Sequence, residues 1–398
     1  MGHWVLAVTL LGWWQPGLVR PGLEVLLTDS LHLVRGKRIA LVANHATVDR
    51  QGVHGVERLR AAGVTLVTLM SPEHGFRGAA APGEEVTSSV DSATGLPIYS
   101  LYGKRLGPTA EVLSGIDVIL VDLPDVGTRY FTYLSTTVEV MKAAAKAGKP
   151  VLVLDRPNPL GGRIEGPVLD TAFASFVGRL AIPVRPGLTL GEQALLANTD
   201  LKIGAAVTVI PVSGWRRRDD AFTTGLPFLP PSPNLKTLES LFHYPGTCLF
   251  EGTALSVGRG TDAPFEQVGA PWLDTTRVLA IVRRSGLRGV RFAGVPFTPL
   301  RPGDGKFADT VLAGIRLTVT DREKYRPVTA ALTLLAAVYQ VHGAQIGLIP
   351  AHFDRLAGGV GIRRWLLARH PVADQVKSWR NLQREFVRRT REIRLYRE

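Results

Sequence analysis

The N-terminal half of the chain repeats one pattern, an apolar strand, a polar turn and a helical run, and this alternation restricts the fold more than any other feature. Residues 38–43 (RIALVA) read as a first strand that stops at Asn44-His45. A helix is predicted over 53–62, with Gly63 as its stop. Residues 64–70 (VTLVTLM) form the next strand, which runs into Ser71-Pro72-Glu73-His74-Gly75. A third strand over 117–123 ends at Pro124-Asp125-Val126-Gly127, and an Ala-rich helical run over 128–147 closes at Gly148. The fourth, over 151–154, ends at Asp155-Arg156-Pro157-Asn158-Pro159. Strands that are apolar on both faces and alternate with helices belong to a parallel sheet covered on both sides. The predicted class is therefore α/β, a Rossmann-like, doubly wound, mostly parallel sheet. Such sheets bind ligands beyond the carboxyl ends of their strands. Here those ends carry Asn44, His45, Glu73, His74, Asp125, Arg129, Asp155, Arg156 and Asn158.

A chain of 398 residues exceeds the roughly 250–300 at which one core stops growing, so two domains are expected. The proline-rich stretch Leu229-Pro230-Pro231-Ser232-Pro233-Asn234 suits neither helix nor central strand and reads as their connection. The predicted division is 1–20 as a possible leader, 21–230 as the Rossmann-like domain, and 231–398 as a smaller α+β domain. Residues 4–14 are apolar enough for a signal-peptide core but too short to span a bilayer. They lack a basic flank and an A-x-A site, so an ordinary core segment is the competing reading. A leader would place the protein outside the cytoplasm, as a secreted or periplasmic protein; a core segment leaves it in the cytoplasm. No other stretch reads as a membrane span, and no stable membrane insertion is expected.

The net charge of +13 is mostly dispersed arginine. No helix-turn-helix, zinc-finger or RRM signature accompanies it, so nucleic acid is not an expected partner. One cysteine, Cys248, excludes an internal disulfide and a Cys-rich metal site. The chain has no G-x-x-x-x-G-K-[ST], no G-x-G-x-x-G after the first strand, no H-E-x-x-H and no G-x-S-x-G. Neither a cofactor nor a metal is expected.

Among the strand-end residues, Glu73-His74 is the leading catalytic candidate. A carboxyl group in a partly apolar crevice keeps its proton longer and can act as a general acid. The competing reading is a turn whose Glu caps a helix. Glu84, beside Glu85 in a Pro-Gly loop, is a second carboxylate that could reach the site, or else part of a solvated acidic loop. Arg129 and Tyr130 enter the predicted helix, where Arg129 could pair with an anion and Tyr130 could share a face with Tyr133. Asp155, Arg156 and Asn158 sit on a loop stiffened by two prolines, and either bind ligand or form an internal ion pair.

These segments also resemble a known family. SPEHGFRG, GLPIYSLYG, VDLPDVGTRYFTY, LDRPNPLGG, EGPVLD, PPSPN, YPGTCLFEGT and GRGTDAPFE are similar, in order and spacing, to the bacterial family DUF1343, from about Gly22 to the C-terminus. Its characterised members are exo-β-N-acetylmuramidases of the NamZ type. The resemblance implies removal of β-1,4-linked N-acetylmuramic acid from the non-reducing ends of peptidoglycan fragments, in cell-wall recycling or scavenging. It also implies a cleft between the Rossmann-like domain and a smaller second domain. For this substrate, Arg156 and Arg259 are the candidates to meet the lactyl carboxylate. Glu251 and Glu266 are candidate substrate-binding carboxylates and, after Glu84, the alternatives to Glu73 as the acid. A two-carboxylate route and one assisted by the 2-acetamido group both remain open. The chain departs from the family at Val257, where many members carry Glu, and at Asn44-His45-Ala46-Thr47, where Asn-Gln-Thr-Gly is usual. The competing functions are a sugar-binding module without turnover and a hydrolase of another acidic sugar.

Overall fold

The computed structural model describes residues 18–398 apart from 79, 81, 82 and 86. The apolar stretch at 4–14 lies outside these residues. Nine strands come from the described residues up to 210: β1 (Arg38–Val42), β2 (Thr65–Ser71), β3 (Ser89–Val90), β4 (Pro97–Ser100), β5 (Val118–Val121), β6 (Val151–Leu154), β7 (Glu165–Val168), β8 (Pro183–Arg185) and β9 (Val207–Ile210). Seven of them form one sheet in the order β3-β4-β2-β1-β5-β6-β9. Every neighbouring pair is parallel except β3 with β4 at one edge. The chain moves outward from β1 through β2 to β4, then returns to β5 and leaves through β6 to β9. The order therefore reverses between β1 and β5, as in a doubly wound sheet.

Burial on both faces explains the uninterrupted apolar runs. All four residues of β5 (VILV) and of β6 (VLVL) are buried. One face carries α1 (Gly22–Asp29) and α2 (Gly55–Ala61), whose Leu23, Leu26, Val56 and Leu59 pack on Ile39, Leu41, Leu69 and Leu120. The other carries α3 (Ala110–Ser114), α4 (Tyr133–Lys146) and α5 (Leu190–Asp200), with Leu134, Val138, Met141, Ala194 and Leu196 against Val121, Val151 and Val153. Each such Leu, Ile or Val contributes about 1.5–3 kcal/mol when fully buried.

The second unit has α6 (Leu238–Thr247), α7 (Thr275–Arg284) and the antiparallel strands β10 (Gln267–Ala270), β11 (Val290–Phe297) and β12 (Leu312–Val319), ordered β10-β12-β11. It ends in α8 (Pro327–His342), α9 (Pro350–Ala357), α10 (Gly361–Leu367), α11 (Val372–Ser378) and α12 (Arg380–Arg389). Contrary to the expectation from the sequence that no other stretch could span a membrane, Pro327 to Ile346 is long and apolar enough to cross one. Its Leu332, Leu334, Leu335 and Val338 are buried, so it is the central helix of this unit. One apolar cluster runs from Val121 and Leu134 through Phe250 to Val268, Leu335 and Trp365, so the two units share a core.

The helix predicted from residue 128 begins only at Tyr133. The five residues before it form a turn whose side chains are committed elsewhere. Arg129 donates to the carbonyls of Pro167 (2.7 Å), Ile182 (3.0 Å) and Leu356 (2.9 Å) and is buried. Tyr130 donates to the Pro245 carbonyl, and the Tyr133 hydroxyl donates to that of Pro231 at 2.8 Å. The expected shared helical face of Tyr130 and Tyr133 does not form.

Candidate active site

A cleft opens along the seam between the two units. Glu73, His74, Tyr102, Tyr130, Phe131 and Thr132 line it from the sheet side. Tyr244, Cys248, Glu251, Arg259, Phe265, His352 and Arg355 line it from the second unit.

Glu73 arrives here because β2 ends at Ser71 and the chain turns sharply. His74 adopts φ 72°, in the left-handed region that few residues with a side chain enter, and Gly75 and Gly78 follow with φ 76° and 73°. The Glu73 carboxylate accepts the Thr132 hydroxyl at 2.7 Å and the Gly83 N–H at 3.0 Å, one on each oxygen. Thr132 is free for this role because it immediately precedes α4. The Tyr102 phenol is raised above its ordinary value, by burial first and then by the charge and hydrogen bonding of Glu73. It therefore stays a neutral donor beside that carboxyl group.

His74 is held below the ordinary imidazole value, chiefly by burial, with Glu73 and the Ala80 carbonyl opposing. Its Nδ1 lies 2.9 Å from that carbonyl, which only accepts, so the ring proton sits on Nδ1 and Nε2 carries the lone pair. The turn is pinned from outside as well. The His45 ring fills the space over Gly78, and its Nε2 donates to the Pro230 carbonyl at 2.8 Å. A Cβ at residue 78 would lie 2.0 Å from that ring. Gly78→Ala is therefore expected to cost about 2 kcal/mol or more, from the positive φ together with the overlap. Combining it with His45→Ala should recover part of the loss. Equal unfolding midpoints for Gly78→Ala and wild type would contradict this packing.

The floor of the cleft is aromatic. Tyr244 meets Tyr130 edge-on at 5.6 Å and Phe265 at 4.8 Å, and Phe131 stands 6.4 Å away. Glu251 is held by Arg259, whose Nε is 2.6 Å and Nη2 2.5 Å from the same oxygen. Arg259 also lies over the Phe265 ring at 5.1 Å. The Cys248 thiol, pushed well up by burial, donates to the other Glu251 oxygen at 3.5 Å. Lys306 secures the turn itself by donating to the carbonyls of Glu251, Thr253 and Leu255.

Of the residues singled out in the sequence, Glu73, His74, Tyr130, Glu251 and Arg259 are brought together in this cleft. The others do not line it. Glu84 is exposed on the loop beyond the turn. Asn44 is buried, donating to the Tyr133 hydroxyl at 2.5 Å and accepting the Ala46 N–H. Asp155 accepts from Thr189, Gly191, Arg156 and Tyr396, and burial pushes it up to about 6 despite these donors. Asn158 closes its own loop through the Leu188 carbonyl and the Leu160 N–H. Glu266 accepts the Thr237 hydroxyl at 2.6 Å. Arg156 is the larger departure. Its guanidinium grips Asp122, at 2.5 and 3.1 Å, and the Val48 carbonyl, while only its backbone N–H reaches the Asp155 beside it in sequence. With Asp49 and Asp125 it lines a different, mainly apolar hollow at the end of β1 and β5, where the strand order reverses. Asp125 there is pushed up to about 7 by burial.

Tyr102, His352 and Arg355 are cleft residues that the sequence reading missed. His352 and Arg355 are three apart on α9, a spacing that puts both on one helical face. Among the described residues no group of three or more His, Cys, Asp or Glu is arranged to hold a metal ion.

An aromatic floor, two carboxyl groups and two imidazoles in an interdomain cleft are the groups that binding a sugar ring and acting on its glycosidic bond call for. The comparisons agree. Residues 39–239 match the family described as exo-β-N-acetylmuramidase NamZ, N-terminal, and residues 242–396 match its C-terminal counterpart. The peptidoglycan β-N-acetylmuramidase NamZ of Bacillus subtilis strain 168 is 40% identical over 381 residues, covering 95% of this chain and 91% of that protein. Two crystal structures of DUF1343 family proteins from Bacteroides fragilis superpose with TM-scores of 0.87 and 0.78, at 32% and 30% identity. They cover 95% and 96% of this chain, and each is itself covered to 99%. This chain belongs to the NamZ exo-β-N-acetylmuramidase family, also known as DUF1343.

Proposed function

We propose that this protein is a glycosidase that releases β-linked N-acetylmuramic acid from the non-reducing ends of peptidoglycan fragments, with Glu73 as the general acid. One observation carries the assignment of Glu73. It faces the cleft with neutral donors, Thr132 and the Gly83 N–H, whereas Glu251 in the same cleft is engaged by Arg259. A general acid begins protonated and ends as a carboxylate when its proton moves to the glycosidic oxygen. Donors already aimed at both oxygens stabilise that product as it forms. The aromatic floor offers an apolar surface to the C–H face of the sugar. Neutral His74, beside Glu73, offers its Nε2 lone pair to a sugar hydroxyl. Action on wall saccharides outside the cytoplasm is the setting this reading favours.

The test is a paired assay on an aryl β-N-acetylmuramide and the matching β-N-acetylglucosaminide. The reading predicts release of free N-acetylmuramic acid from the first, and turnover of the second slower by at least about tenfold, the worth of one charge-assisted contact. Equal rates would overturn the choice of sugar. Binding without release would identify a sugar-binding module instead.

A further inference from the structure

The sugar in this reading differs from N-acetylglucosamine by a lactyl ether that ends in a carboxylate. Among the described residues, the cleft lining has two arginines, Arg259 and Arg355. Arg259 already has its carboxylate, because Glu251 occupies both its Nε and Nη2. Arg355 is exposed at the cleft with no acidic side chain among the described residues paired to it. We propose that Arg355 is the subsite that reads the lactyl carboxylate, and that Arg259 instead holds Glu251 in place. The proposal rests on the muramidase reading and deepens it.

The position of Arg355 is fixed from the other unit. Buried Arg129 donates to the Leu356 carbonyl, at the residue after Arg355, while its other contacts reach the carbonyls of Pro167 and Ile182. Gly358 ends α9 at φ 80°, and a Cβ there would sit 2.6 Å from the Arg129 guanidinium. The helix end is thus clasped to the sheet side of the cleft, which limits where the Arg355 fork reaches. One turn earlier His352 is held below its ordinary value, by burial first, with Glu251 opposing and Arg355 and Lys306 contributing. It stays neutral and leaves the positive charge of α9 at this face on Arg355. A planar, permanently charged fork suits a carboxylate on a flexible ether.

Binding of N-acetylmuramic acid, its lactyl methyl ester and N-acetylglucosamine to the whole protein, followed by calorimetry, tests the assignment. Wild type should prefer the free acid over the other two by on the order of 10- to 100-fold. Arg355→Gln should remove that preference while leaving N-acetylglucosamine binding unchanged, which also reports an intact cleft. Arg355→Lys should restore part of it. A full preference retained by Arg355→Gln, or a wild type indifferent to the carboxylate, overturns the proposal. Turnover separates this from failure of the underlying reading. Muramide hydrolysis with the preference intact in Arg355→Gln would sink only the Arg355 assignment. A carboxylate preference lost in Arg355→Gln but with no hydrolysis by wild type would sink only the muramidase reading.

Discussion

Glu73→Gln is expected to lower turnover of a natural disaccharide by roughly 10²–10⁴-fold without unfolding the protein. The amide keeps the shape of the side chain, and its oxygen can still accept from Thr132 or from the Gly83 N–H. What it lacks is a proton to give. The loss should therefore fall mainly on kcat and shrink for an aryl leaving group, which departs with less protonation. Tyr102 and His74 flank the carboxyl group but are poor substitutes. The Tyr102 phenol is raised and the His74 imidazole lowered, so the one holds its proton too tightly and the other has none to spare near neutral pH. Near-normal kcat on the disaccharide would remove Glu73 from this role and bring Glu251, the other carboxyl group of the cleft, forward.

Breaking the buried pair of Arg217 and Glu192 should have the largest effect on stability. Both side chains are within 1% of complete burial. Glu192 closes the capping box at the start of α5 with Thr189 and also accepts the Leu395 N–H at 2.8 Å. Arg217 reaches the carbonyls of Gly187 and Tyr396. The pair thus ties the last residues of the chain back to the sheet domain, where the Tyr396 hydroxyl also meets Asp155 at 2.5 Å. Glu192→Gln leaves the buried guanidinium with only the exposed Glu398, 3.8 Å away, as a counter-charge, and a loss of about 3–5 kcal/mol is expected. Replacing both residues with methionine should cost less than the single change, since the stranded charge is then gone. Denaturant unfolding checks both variants. A single-variant loss under about 1 kcal/mol would mean that the pair is not the anchor described. Specific activity of the folded fraction should stay near wild type, in contrast to Glu73→Gln.

Much of this architecture was legible because a parallel sheet covered on both faces leaves a plain mark. Runs such as VILV and VLVL have no polar face to interrupt them, and the strand ends follow directly. Glu73 and His74 were legible for the same reason, since a strand end followed by Gly75 and Gly78 has to turn into the crevice. Position at a strand end does not, however, tell which neighbour a polar side chain meets. Arg129, Asp155 and Arg156 stand where ligand-binding residues would stand, yet serve buried carbonyls, a helix start and Asp122. Arginine forks and carboxylates satisfy buried backbone and bind ligands with the same chemistry. Only the packed partner distinguishes the two uses. The far wall of the cleft was hidden for another reason. His352 and Arg355 come from α9, near the other end of the chain, and reach Glu73 only through the shared core. Their i, i+3 spacing was the available signal, and an ordinary amphipathic helix carries the same one.

The account turns on removal of one terminal sugar by the Glu73 cleft. Its most direct test is mass spectrometry of the products formed from a peptide-free, alternating glycan with N-acetylmuramic acid at its non-reducing end. Wild type should release free N-acetylmuramic acid, leaving a chain shorter by one residue that starts with N-acetylglucosamine, and Glu73→Gln should leave the substrate essentially intact. Disaccharide products from internal cleavage, or the same release by Glu73→Gln, would contradict it.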